Sequence, residues 1–132
     1  MTPLADLPGD QPTELTFSSI TCNGMTLNWS AASSNPSGYI VLRTNGSIAP
    51  NTDPSSTVTY TVGQSIGNAT VAFVGSGTSA VVSSLSDNSN YNFKIYSYNG
   101  SGSLINYLTI APLSGSNSTS IVPVPVAVEA SN

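Results

Sequence analysis

Apolar residues return at every second position in short stretches along the 132-residue chain. Met25, Leu27 and Trp29 alternate with Thr26, Asn28 and Ser30, and Tyr91, Phe93, Ile95 and Ser97 alternate with Asn92, Lys94, Tyr96 and Tyr98. A period of two is that of a strand with one buried face. Leu15 and Phe17 with Ile20 predict a first strand, 25–29 a second and 39–43 a third. Val58, Tyr60 and Val62 alternate with Thr57, Thr59 and Thr61, a β-branched run with high strand preference. Residues 69–74 and 80–85 predict two more strands, divided by Gly75-Ser76-Gly77; 90–98 is the longest alternating run, and 107–113 is the expected last strand. Turn signals stand between them at Asn23-Gly24, 31–38, 45–56 and 99–103. No stretch has the 3.6-residue period of an amphipathic helix. The pattern predicts an all-β chain folded as a two-sheet antiparallel sandwich around one core.

Tyr91 opens its strand just after a polar corner, six residues beyond Leu85. A Tyr so placed buries its ring and returns its hydroxyl to the upstream backbone, the tyrosine corner of β-sandwiches. Together with Trp29 at the end of the second strand, these features resemble the fibronectin type III domain. The likeness covers residues 12–115 and is carried by Pro12, Trp29, Tyr39, Val41, Leu85, Tyr91, Phe93, Ile95 and Asn99-Gly100. It implies an Ig-like (fibronectin type III) sandwich with extended N- and C-terminal tails: a leader or linker over 1–11, the sandwich over 12–115, and a Ser-rich linker with a Pro/Val-rich apolar tail over 116–132. It also implies a structural core of Trp29, Tyr39, Val41, Leu85, Tyr91, Phe93 and Ile95, and each lies on the alternating apolar face of its strand. Cutting Trp29 or Tyr91 to Ala is expected to cost about 3–5 kcal/mol. The segment 45–77 is longer than the usual connection in the family and is expected to add strands to one sheet. No Arg-Gly-Asp occurs, so the integrin-binding loop of some animal members does not carry over. The Tyr-Asn-Gly-Ser-Gly run at 98–102 resembles copies in bacterial surface and secreted proteins, and similar sandwiches decorate bacteriophage particles.

Charge is scarce. Two basic and six acidic side chains leave a net charge of −4, while 51 of the 132 residues are Ser, Thr or Asn. Such a surface offers nothing to a phosphate backbone, whose binding depends on clustered Lys and Arg, so nucleic acid is not an expected partner. The absence of His removes the commonest general base and metal ligand. Two-carboxylate chemistry would need a pair such as Asp53 and Asp87 held at fixed separation, but both sit in turns where Asp is a turn former. No catalytic residue, metal site or cofactor is expected. Cys22 is alone, so no internal disulfide forms. The opening residues have neither a basic region nor an apolar run, so no signal peptide is expected, and no stretch has the length for membrane insertion. Five Asn-x-Ser/Thr sequons are about what this Asn and Ser/Thr content gives by chance.

Two features rise above that background. Strand alternation puts Ile40, Leu42, Lys94, Tyr96 and Tyr98 opposite the core face, on strands that are neighbours in the family. This stripe is a candidate binding face for protein or glycan; the alternative is that 57–74 folds over it. The second is the tail, in which Ile121 precedes Val122, Val124, Val126 and Val128, all four valines on one face of an extended strand. Pro123 and Pro125 occupy the alternate positions, so such a strand pairs only at an edge. It is a candidate docking strand toward a shell or sister copies, with a Ser-rich linker over 114–120 giving it reach. These features lead to the expectation of a non-catalytic structural or adhesive surface module, a virion accessory or decoration protein of a bacteriophage. The alternative is a spacer or a carbohydrate- or protein-binding module of a secreted bacterial enzyme or adhesin. The expected location is the virion surface, or the cell surface and extracellular space.

Overall fold

The structure, a computed structural model, describes residues 4–46 and 50–122. Three strands form one sheet in the order β1 (Thr13–Ser18), β2 (Met25–Ser30), β6 (Ser79–Val82). The other runs β4 (Ser65–Ile66), β5 (Ala69–Gly75), β3 (Gly38–Asn45), β7 (Asn90–Asn99), with β8 (Asn106–Tyr107) and β9 (Leu113–Ser118) sharing the far edge of β7. All pairings are antiparallel. The long 45–77 segment does add strands to one sheet, β4 and β5, as its length suggested.

Between the sheets lies the first core. Met25, Leu27 and Trp29 from β2 meet Tyr39, Val41, Tyr91, Phe93 and Ile95 from the opposite sheet, with Ala80, Val82 and Leu85 closing one side. All seven core residues named from the sequence are in this cluster. Trp29 packs edge-on to Tyr39 and to Phe73, with ring centroids 5.9 and 5.8 Å apart, the quadrupole-favoured arrangement. Ser86 N donates to the Tyr91 hydroxyl at 2.7 Å, so the corner forms as the sequence indicated. The Trp29 indole N–H and the Ser97 hydroxyl are buried with no hydrogen-bond partner among the described residues.

Four sequence expectations need correction. Residues 57–62 alternate like a strand but form none; they run as turns, with Tyr60 packed onto a sheet and Val58 and Val62 exposed. The last sandwich strand is not 107–113. Tyr107 ends the short β8, and the strand that completes the sheet is β9, which lies inside the supposed Ser-rich linker. Small residues belong there because β9 passes under β1: a Cβ on Gly115 would come within 2.7 Å of Leu15 Cδ2. The sandwich therefore runs past residue 115, to the buried Thr119, whose N–H is held by Ser89 O. Nor do residues 4–11 trail as a leader. Ala5 N donates to Leu104 O, and Pro8 is buried.

Gln11 has a specific structural task. Between β8 and β9 the chain leaves β7, and the Gln11 side chain fills the break, accepting from Ser97 N at 2.8 Å and donating to Leu108 O at 2.8 Å and Ile110 O at 3.1 Å. A buried strand amide without a ladder partner is thus satisfied from the N-terminal segment.

Candidate functional site

The fourth correction concerns the stripe Ile40, Leu42, Lys94, Tyr96, Tyr98. The alternation is as expected and the residues do share the face away from the first core, but that face is not a surface. Ile40, Leu42 and Tyr96 are 0% exposed, and Lys94 and Tyr98 are half-buried. They form a second core with Ile66, Ala69, Val71, Ile105 and Tyr107, with Tyr60, Val74 and Tyr98 packed around it. The cover comes from 50–62 together with 102–107, and hydrogen bonds fasten it. Thr57 N donates to Ile105 O at 2.9 Å, Ser56 Oγ to Asn106 Oδ1 at 2.7 Å, and the Tyr107 hydroxyl to Val58 O at 2.8 Å. The Tyr96 hydroxyl donates to Asp53 Oδ1 at 2.8 Å. The candidate binding face is therefore corrected to an interior packing layer: a row of two Tyr and two aliphatics on a sheet is stabilised more by being covered than by waiting in water.

Burial has the electrostatic effect expected. It pushes the Tyr96 phenol well above the ordinary Tyr value, helped by the bond to Asp53 and its charge. It pushes Tyr107 up to about 12, with Tyr60 and Tyr98 adding to the effect, and raises Tyr98 in the same direction. These phenols are neutral packing groups at ordinary pH. Tyr98 also lies across Gly38, where a Cβ would meet its hydroxyl at 2.5 Å and Gly75 O at 2.8 Å, so Gly38 is where the backbone yields room to the ring.

The acids are structural in what they touch. Asp10 accepts from Ser33 Oγ at 2.6 Å, Ser33 N at 3.0 Å and Ser34 N at 2.9 Å, tying the N-terminal segment to the 31–37 loop. Those bonds hold its carboxyl far below the usual carboxylate range. Asp53 anchors the cover through Tyr96, and Asp87 lends its carbonyl to Ser89 Oγ. Asp53 and Asp87 thus sit in different loops with separate partners. Among the described residues no group of three or more His, Cys, Asp or Glu could hold a metal, and no helix is long and apolar enough to cross a membrane. The Cys22 thiol is half-buried.

Among the described residues, the exposed large apolar side chains sit in loops, at Leu4, Leu7, Ile20, Val58, Val62 and Ile110, at the exit segment Ile121–Val122, and on one strand, at Val81. At the mouth between the sheets, β6 of one faces β5 of the other across a groove lined by Arg43, Val62, Val71, Ala72, Val81 and Val82. Val81 is 76% and Val62 65% exposed. The groove holds about 230 Å³, below the roughly 300–1,000 Å³ of small-molecule pockets. A second, smaller depression continues past Val81–Ser83 to Thr21, Asn23 and Met25. The chain exits beside it, where Ser120 N donates to Thr21 O at 2.9 Å. Of the docking-tail residues, Ile121 and Val122 are exposed there; Val124, Val126 and Val128 lie outside the described residues. The exposed edge was not among the sites read from the sequence, and its only signal there was Val81, an apolar residue at an outward position of a short strand.

A two-sheet antiparallel sandwich of this order, with a tyrosine corner and a buried Trp on the second strand, defines an Ig-like module. The family model of the fibronectin type III domain matches residues 10–107. The chain belongs to the fibronectin type III family. Solved structures agree at the level of the fold. A human fourth FNIII domain solved in solution has a TM-score of 0.59 at 16% identity, covering 95% of this chain and 89% of that one. A fibronectin type III domain from the human KIAA0970 protein gives 0.56 at 16% identity, over 87% and 77%. A computationally redesigned β-sandwich gives 0.59 at 19% identity, over 86% and 98%. No curated protein sequence matches the chain.

Proposed function

We propose that this chain is a non-catalytic structural module that works by contact, as a virion accessory or decoration protein of a bacteriophage. The observation that carries the reading is where the structure spends its chemistry-bearing groups. Tyr60, Tyr96, Tyr98 and Tyr107 fasten a cover to a sheet, Asp53 with them through Tyr96, and Asp10 ties two loops. The exposed surface is mostly neutral Ser, Thr and Asn, with Val81 apolar at a sheet edge. A scaffold family gives a fold and leaves the job to its surfaces. Here the surfaces suit fixed, uncharged contacts with protein better than capture of a charged or small ligand. With the aromatic stripe covered, no sugar-stacking platform supports a glycan partner through it.

Peptide mass spectrometry on the native source, fractionated into particles, cells and supernatant, tests the reading. Recovery with purified particles at a fixed ratio to the shell protein is the expected outcome. Absence from particles removes the virion reading. Peptides found only within a longer secreted polypeptide would make the domain a spacer of that protein.

A further inference from the structure

The outer strands of the two sheets, β1, β6, β4, β8 and β9, are not equally protected. An unpaired strand edge is a template for another strand, and proteins blunt it with bulges, charge, Pro or brevity. β1 carries a bulge between Thr13 and Thr16, with Glu14 at φ 60°. β4 has only two residues. β8 has only two residues, and β9, packed on β1 by its inner face, turns Ser114, Ser116 and Ser118 outward, with no apolar face for an added strand. β6, Ser79-Ala80-Val81-Val82, has no charge, Pro, Gly or bulge, and among the described residues pairs only with β2.

The phase of its ladder follows from one bond. Trp29 N donates to Thr78 O at 3.0 Å, so Thr78, Ala80 and Val82 exchange bonds with β2. The N–H and C=O of Ser79 and Val81 then point to the open edge. Val82 and Ala80 face the core, and beside them the groove between the sheets is walled by Ala72 and Val82.

The tail has the complementary parity. In an extended chain the N–H groups of Val122, Val124 and Val126 point to one edge. Pro123 and Pro125, which have no N–H, fall on the other. Such a strand pairs on one side and stops a sheet on the other, so it joins an edge without propagating it.

We propose that residues 122–126 of one copy add as a parallel strand to the β6 edge of a second copy. In a parallel ladder Ser79 and Val81 bond to the residues flanking their opposites. Ser79 N–H donates to Val122 O and Val81 N–H to Val124 O, while Ser79 O accepts from Val124 N–H and Val81 O from Val126 N–H. The prolines then stand opposite Ser79 and Val81 on the outer face, where no N–H is needed. The valines turn to the face of Ala80 and Val82 and enter the groove. An antiparallel strand would reverse this, placing valines in solvent and prolines in the groove. The chain's own Ser120 lies beside Thr21, at the Val82 end of β6, so a tail continuing along that edge of its own copy would run antiparallel to β6. The valine-burying direction therefore belongs to a second copy. This deepens the contact-module reading by naming one partner.

The test uses the full-length chain. Sedimentation equilibrium over a concentration series should show mass rising above the monomer. Val124→Pro removes a paired donor and should weaken association at least about tenfold; Ala127→Pro, whose N–H points to the opposite edge, should leave it unchanged. Adding unlabelled native chain to ¹⁵N-labelled Val124→Pro chain should shift the Ser79 and Val81 amide signals. A native chain monomeric throughout overturns the proposal, as does equal behaviour of the two proline variants. Ser79 and Val81 amides that differ between native and Val124→Pro chains already in the monomer would assign the edge to the chain's own tail and overturn it also. A native chain that stays monomeric yet is recovered on particles would leave the virion reading standing while the self-pairing failed.

Discussion

Leu42→Ala separates a covered face from a surface. Leu42 is 0% exposed on the side of β3 away from the first core, among Ile40, Val71 and Tyr96. If 50–62 and 102–107 form a fixed layer over it, the substitution removes three buried carbon groups and leaves a cavity, at a cost of about 2–5 kcal/mol. If the layer were a loose flap, the site would behave as surface, where substitutions change stability by roughly 0.5 kcal/mol or less. The two outcomes do not overlap. Urea unfolding followed by Trp29 fluorescence reads the cost, because Trp29 is buried in the first core and reports loss of the sandwich rather than of the cover. Ile95→Ala, on the other face of the same sheet, is the control and should cost a similar amount. A domain of this kind has only about 5–15 kcal/mol in all, so a loss near 3 kcal/mol lowers the midpoint plainly. A Leu42→Ala cost below about 1 kcal/mol, with Ile95→Ala costing its full amount, would refute the second core.

Gln11→Ala strips the partner from the buried Ser97 amide and should cost about 1–3 kcal/mol, read by the same unfolding curves and by faster exchange of the Ser97 amide. Ser97→Ala should be neutral or stabilising by about 1 kcal/mol, because it removes a buried hydroxyl with no partner among the described residues; a clear loss would show that the hydroxyl is satisfied. Tyr107 has a folded pKa of about 12 against an ordinary value of 10, and Tyr96 and Tyr98 are raised as well. The folded state holds these protons longer than the unfolded chain, so their contribution is full below pH 10 and is lost as pH climbs through about 12. Tyrosinate absorbance and circular dichroism should therefore change together in that window, and a stability flat across it would contradict the burial of these phenols.

The first core was legible because alternation and a corner are local. Met25, Leu27 and Trp29 announce their inward face from spacing alone, and Tyr91 announces its hydroxyl's partner from the corner before it. The second core was half legible. Parity placed Ile40, Leu42 and Tyr96 on one face, but whether that face meets water depends on where 50–62 crosses in space, which no local period encodes. The 57–62 run misled for a related reason: Val58 and Tyr60 carry strand preference, yet the segment forms no strand ladder among the described residues, and β-propensity expresses a pleated neighbourhood more than a backbone preference. β9 was hidden because its inward residue is Gly115, chosen for lack of bulk under Leu15 and Phe17, so the strand shows no apolar alternation. Gln11 was invisible because its partners, Ser97 and Leu108, are long-range.

The sparse charge has a structural consequence at the edges. Lys on an edge strand is a common device against unwanted pairing, but this chain has only two cations, and both Arg43 and Lys94 sit on β3 and β7 in the interior of a sheet. Arg43 lies over the Tyr91 ring, 5.8 Å from its centroid. Edge protection must then come from geometry, and it does: a bulge and Glu14 at β1, brevity at β4, Gln11 at the break between β8 and β9. β6 has none of these devices, and a nearly uncharged surface supplies no repulsion to replace them. An edge left open on a chain that guards its others by shape is better explained as one with an occupant than as an oversight. Placing a charge there, Val81→Lys, should leave the fold intact because Val81 points to solvent. It should weaken strand addition at that edge, read as a lower self-association constant in sedimentation equilibrium.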